Sequence, residues 1–238
     1  MIPLRDSNPT RRTPIVTLAI IVVCFVVFAW ELGLQATSEA SLDAFVTEWG
    51  VVPAELVAAW SAGHFLSQET ATLITSQFLH AGWLHLIGNL LYLWIFGNNI
   101  EDRLGGALFA FFYLGGGVVA GVTQTAIDPE STIPLIGASG AIAASLGAYF
   151  VFFPGARITT LVFLGFFYQL IEVPAIIVLG FWFALQLLDG IGSLGMEAGA
   201  GVAFFAHIGG FVIGAVIARV LLIVWPRTRG PARTSAVG

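Results

Sequence analysis

Four side chains able to do chemistry, His85, Asn89, Ser139 and His207, sit in sequence made otherwise of Leu, Ile, Val, Phe, Ala and Gly. A serine hydroxyl becomes a nucleophile beside a base that removes its proton, and a histidine near its reference pKa can take that proton and return it to a leaving amine. His85 and Asn89 are spaced i and i+4, which places them on one helical face. Both can donate hydrogen bonds to a tetrahedral oxyanion. These types point to acyl transfer at a peptide bond, with Ser139 as nucleophile, His207 as base and His85 and Asn89 as oxyanion donors. The nearest acid to His207 in sequence is Glu197, in a loop, so a dyad without a carboxylate is expected. No HExxH motif is present, and neither a metal nor a cofactor is expected.

The segment IPLIGASGAIAASLG begins a helix at Ser139 after the loop around Pro134. A helix N-terminus offers unpaired N–H groups and positive potential to an anion. Gly137, Gly140 and Ala144, and Gly210, Gly214 and Ala218 further on, are what close helix packing requires. Packing alone would make Ser139 a small spacer. Close backbones, however, are also what lets a serine on one helix reach a histidine on the next.

The elements that must position these residues are membrane helices. Hydrophobic residues make up 58% of the 238, charged residues 10%, and the mean hydropathy is +0.92. Such a chain is too apolar for a soluble domain. Apolar stretches at about 15–34, 82–98, 106–126, 137–153, 173–189 and 202–225 predict six crossings. The first is too long for the core of a signal peptide and reads as an uncleaved span. The piece 158–172 is short for a crossing and is interrupted by Glu172 and Pro174; it reads as interfacial or re-entrant. The organisation is then a tail over 1–14, a membrane domain over 15–225 and a disordered tail over 226–238.

Every basic residue is an arginine. Arg5, Arg11, Arg12, Arg103, Arg157, Arg227, Arg229 and Arg233 fall on one side of a six-span topology, and the opposite loops hold only acids. Juxtamembrane cytoplasmic segments are enriched in Lys and Arg, so both termini are expected in the cytoplasm. Arg219 can snorkel to the same side. Under this orientation spans two, four and six enter from outside, and each carries its polar residues near its outer end, at one depth. Ionisable groups within a bilayer face a protein interior or a wet cavity and mark function by default. The loop over 35–81, with Trp49 and Trp60, should hold short helices in the outer interface. Cys24 is the only cysteine and reads as an ordinary packing residue.

These residues resemble the rhomboid family of intramembrane serine proteases. The likeness runs from about Trp49 to Trp225, through GVVPAELV, TSQFLHAGWLHLIGNLLYLWIFGNNIEDRLG, GASGAIAASLGA, FPGARI, VPAIIVLGFWFALQLL and AHIGGFVIG. It implies an all-α polytopic fold, a six-helix bundle with an outward-opening polar cavity, and a Ser139/His207 dyad aided by His85 and Asn89. Gly137 and Gly140 belong to the nucleophile motif. His80 would support from the cavity mouth, whereas His64 matches no motif. Glu101 and Arg103 fit a Glu-x-Arg that ties the turn after span two. The segment 190–205, with Gly192, Gly195, Gly199 and Gly201, would cap the site as a lid. Substrates would be single-pass transmembrane proteins cut near the outer face of a multi-pass plasma-membrane enzyme. The all-arginine, Ala- and Gly-rich usage points to a GC-rich bacterial genome; a bacterial inner membrane and no nucleic-acid partner are expected. Two positions depart from the family pattern. Ala143 stands where a ring commonly stacks on the base, leaving Phe204 or Phe205 to hold His207. Thr75, Ser76 and Gln77 stand where a Trp-Arg pair is often found. A silent relative that binds membrane helices is the alternative reading; a His-lined transporter would need an inverted repeat that neither half of the chain presents.

Overall fold

Residues 2–164, 167–193 and 203–225 are described by the structure, a computed structural model. Among the described residues four helices are long and apolar enough to cross a membrane: α1 (Ile15–Thr37), α7 (Gly106–Ile127), α9 (Ala175–Ser193) and α10 (Phe204–Val224). A fifth candidate is a bent pair, Gln68–Phe78 followed by Trp83–Leu104, with an angle of 83° between its halves. Its second half comprises α5 (Trp83–Tyr92), a π-helical turn (Leu93–Gly97) and α6 (Asn98–Leu104). The remaining apolar helix, α8 (Ser139–Phe152), has 14 residues, about 21 Å at helical rise against ~30 Å of hydrocarbon. It can be short because it does not face lipid: every residue from Gly140 to Tyr149 is buried. The chain is a mostly helical, multi-pass membrane protein.

Alpha-helical periodicity explains how α1 joins the bundle. Its buried residues, Thr17, Ile20, Cys24, Phe28 and Glu31, recur every three or four positions and form one stripe. Between α1 and the bent pair lie α2 (Glu39–Trp49), α3 (Pro53–Ser61) and α4 (Gln68–Thr75), the short helices expected in that loop. Ser38 caps α2 by accepting the Ser41 N–H at 3.1 Å, and Pro53 occupies the first turn of α3, where its missing N–H costs nothing. Val51, Leu56 and Leu73 form a small core beneath them with Val118 and Val122 of α7.

At the centre α8 and α10 meet backbone to backbone. A Cβ on Gly210 would strike the Gly140 carbonyl oxygen, and one on Gly214 the Ala144 carbonyl oxygen. On the other side of α8, a Cβ on Gly140 would stand 2.6 Å from Ala120 Cβ of α7. The small-residue rows seen in the sequence are therefore the contact surfaces of these helices.

The fold is mostly but not wholly helical. The piece 158–172 is a β-hairpin of β2 (Arg157–Leu164) and β3 (Phe167–Pro174), and it is joined by β1 (Ile2–Asp6) in the order β1-β2-β3. Within the first fourteen residues, Ile2 pairs with Leu161 and Asp6 with Ile158. Thr, Val, Ile, Tyr and Phe suit strands, and an apolar run of this length has no periodicity that separates strand from helix. Pro3 is tolerated because β1 is an edge strand and its register shifts between Pro3 and Arg5. The inner face of β2 buries Ile158 and Thr160. The expected C-terminal tail and most of the expected lid, including Gly195, Glu197, Gly199 and Gly201, lie outside the described residues; Gly192 continues α9.

Candidate active site

Helix starts bring the chemistry together. Ser139 is the first residue of α8, His207 lies in the first turn of α10 and His85 in the first turn of α5. Ser139 Oγ is 2.8 Å from His207 Nε2, a hydrogen bond across the glycine-lined contact of α8 and α10. The other imidazole nitrogen, Nδ1, is 2.6 Å from Gln186 Oε1 of α9. The Trp182 ring, one turn earlier on α9, lies 5.9 Å from the His207 ring at 38°.

The preceding loop is shaped by Gly137. Its φ of 121° lies where side-chain-bearing residues are strained, and a Cβ there would stand 2.7 Å from His85 Nε2. The Gly137 N–H is held by the Ser76 carbonyl at 2.8 Å. Glycine therefore both makes the turn into Ser139 and lets the His85 ring lie against it. His85 Nδ1 accepts the Ala81 N–H at 3.4 Å, so its proton sits on Nε2, the atom facing Gly137. Asn89 Nδ2, buried one turn below, has no hydrogen-bond partner among the described residues. His85 Nε2 and Asn89 Nδ2 thus converge on Gly137, 2.7 and 3.7 Å from where its Cβ would stand, at the turn that leads into Ser139.

His80 is 2% exposed and packs edge-on against His85 at 5.1 Å. Its backbone N–H is shared by both carboxylate oxygens of Glu31, each at 3.2 Å, and its Nε2 has no partner among the described residues. It is a neighbour of His85 and does not touch Ser139 through any hydrogen bond among the described residues. Gly140 packs the Ser139 helix against α7 and α10. His64 stands exposed in the turn after α3, away from this cluster.

His207 is not held as the sequence led one to expect. Ala143 is fully buried with its Cβ 3.2 Å from where a Cβ on Gly210 would be, so a ring at 143 has no room. Phe204 and Phe205 make no ring contact with His207 among the described residues; Trp182 supplies the ring and Gln186 the hydrogen bond. Gln124 Oε1 of α7 fixes the start of α10 by accepting the Phe205 and Ala206 N–H groups at 3.1 and 3.2 Å.

A rhomboid domain model matches residues 67–224. The chain belongs to the rhomboid family. This rhomboid is 36% identical over 134 residues to Rhomboid protease GluP of Bacillus subtilis, covering 56% of the chain and 25% of GluP. It is 38% identical over 69 residues to Rhomboid-like protein 11, chloroplastic, of Arabidopsis thaliana, covering 29% of the chain and 24% of that protein. Rhomboid protein 1, mitochondrial, of Saccharomyces cerevisiae is 28% identical over 148 residues, 60% of the chain and 39% of the relative. The chain spans between about a quarter and about two fifths of the length of these relatives. Among the described residues no cluster of three or more His, Cys, Asp or Glu could hold a metal ion.

Proposed function

We propose that this rhomboid is an intramembrane serine endopeptidase that hydrolyses peptide bonds in or near the transmembrane segments of single-pass proteins. The observation that carries the proposal is the 2.8 Å hydrogen bond from Ser139 Oγ to His207 Nε2. His207 removes the hydroxyl proton as Oγ attacks the scissile carbonyl carbon. The carbonyl oxygen, now an anion, takes hydrogen bonds from His85 Nε2–H, Asn89 Nδ2–H and the Ser139 N–H. Collapse of the tetrahedral intermediate breaks the C–N bond, and His207 gives its proton to the amine. Water then enters, loses a proton to His207, and releases the acid and the free serine. Helical peptide bonds are shielded, so substrates with helix-breaking residues near the cut are favoured.

The full reading has six crossings, with α8 and the bent pair counted, and an arginine-rich end of the bundle in the cytoplasm of a bacterial cell. Arg11 and Arg12 meet Asp102 through their backbone N–H groups, and Arg5 meets Thr159, which is the grouping that orientation requires. A rhomboid-like binder without catalysis would have no use for a serine hydrogen-bonded to a histidine. Purified protein in proteoliposomes should cleave a model transmembrane substrate, and Ser139 should be labelled by a fluorophosphonate. Undiminished cleavage by both Ser139→Ala and His207→Ala would overturn the proposal.

A further inference from the structure

Neutral imidazole carries one proton on either of its two nitrogens, and only the tautomer protonated at Nδ1 leaves Nε2 free to act as a base. Among the described residues no carboxylate hydrogen-bonds to His207, and another acceptor must select it. Gln186 Oε1, at 2.6 Å from Nδ1, is an acceptor with no proton to give. We propose that Gln186 is a positioning residue whose amide oxygen accepts the His207 Nδ1–H and so fixes the tautomer that can deprotonate Ser139. The inference rests on reading Ser139 and His207 as nucleophile and base.

Trp182 and Gln186 are i and i+4 on α9, so one helix face supplies the ring over the imidazole and the acceptor at its edge. Orientation and proton placement are set by the same element. A neutral amide does this without burying a second charge in a low-dielectric site. It also leaves the imidazolium formed during attack less stabilised than a carboxylate would. Among the described residues the groups acting on His207 are the Ser139 hydroxyl in contact and His85 from α5. Gln124 from α7 is neutral, and Asp189 is exposed three positions beyond Gln186.

The test is the protonation of His207 read directly by 15N NMR of histidine-labelled protein in bilayers. The chain has four histidines, so the His207 signals are assigned by their loss in His207→Ala. The wild type should show a protonated Nδ1 and a bare Nε2. Gln186→Met keeps the size and loses the amide oxygen; it should move the proton towards Nε2 and lower kcat by about tenfold with KM unchanged. Gln186→Glu should keep Nδ1 protonated and move the acidic limb of the kcat/KM profile to higher pH, because a carboxylate favours the imidazolium. A glutamine that merely packed would leave that limb in place. A wild-type proton on Nε2, an unchanged tautomer in Gln186→Met or an unmoved limb in Gln186→Glu each overturns the inference. Should Gln186→Met fail to fold, the wild-type tautomer and Gln186→Glu decide. If the wild type cleaves nothing yet shows the expected tautomer, the protease reading fails while the positioning stands.

Discussion

The two ends of the bundle use buried polar groups in opposite ways. At the arginine-rich end, Glu101 accepts the Val16 N–H at 2.9 Å, the Thr17 N–H at 2.7 Å and the Thr17 hydroxyl at 2.7 Å. A carboxylate there caps the first turn of α1, satisfying orphan donors and complementing the helix dipole. Nearby, Asp6 of β1 accepts from Tyr149 at 2.7 Å and Asn99 at 2.8 Å, and Arg103 lies over the Phe152 ring at 5.1 Å. At the Ser139 end, His80 Nε2 and Asn89 Nδ2 have no hydrogen-bond partner among the described residues. A buried polar atom left unmatched costs stability. The Glu101 and Asp6 networks tie elements together at one end, whereas His80 and Asn89 carry unmatched atoms at the other.

Substitutions at the two ends should separate activity from stability. Ser139→Ala is expected to lower the cleavage rate at least about a thousandfold while unfolding in detergent is unaltered; a parallel loss of stability would break the division. Glu101→Ala, which orphans three donors at the start of α1, should cost roughly 2–4 kcal/mol in equilibrium unfolding. The activity per folded molecule should persist. Asn89→Ala should slow turnover on the order of a hundredfold and leave stability unchanged or slightly raised, since no resting hydrogen bond of its Nδ2 is lost. The smallest effect belongs to Asp6→Asn. Burial raises the Asp6 carboxyl above its ordinary pKa, with the Tyr149 hydrogen bond pulling it back. The folded chain therefore holds this proton more tightly than the unfolded one. Its contribution is complete below the ordinary carboxylate pKa and is lost as pH rises through the folded value. Asn at this position removes that dependence and shifts stability at neutral pH by less than about 1 kcal/mol, which melting curves between about pH 4 and pH 8 would reveal.

Much of this arrangement is legible in the chain itself. Ser139, His207, His85 and Asn89 declare themselves because each is polar within an apolar run, and the glycine rows announce the close contact of α8 and α10. Gln186 and Glu31 obey the same rule, yet they lie near the ends of α9 and α1, and a comparison confined to helix beginnings passes over them. Trp182 and Gln186, spaced four apart in GFWFALQLLDG, carried the signal that His85 and Asn89 did. Only packing could reveal that Ala143 is wedged beneath Gly210 and that α9 must supply the ring. The sheet was hidden for another reason. Pairing of residues 2–6 with 158–161 is non-local, and nothing in either segment names its partner.

That pairing has a consequence in time. Ser7 and Arg157 are joined by two hydrogen bonds, at 2.8 and 2.9 Å, across 150 residues of sequence. At ~5–20 residues synthesised per second, the first strand waits on the order of ten to thirty seconds for its mate, while α1, the bent pair, α7 and α8 are made. Closing the sheet therefore marks a late stage of assembly, when the beginning of the chain is finally fastened to helices that enclose Ser139. A bulky tag joined at Ile2 would interfere at that moment, slowing maturation more than it disturbs the finished fold.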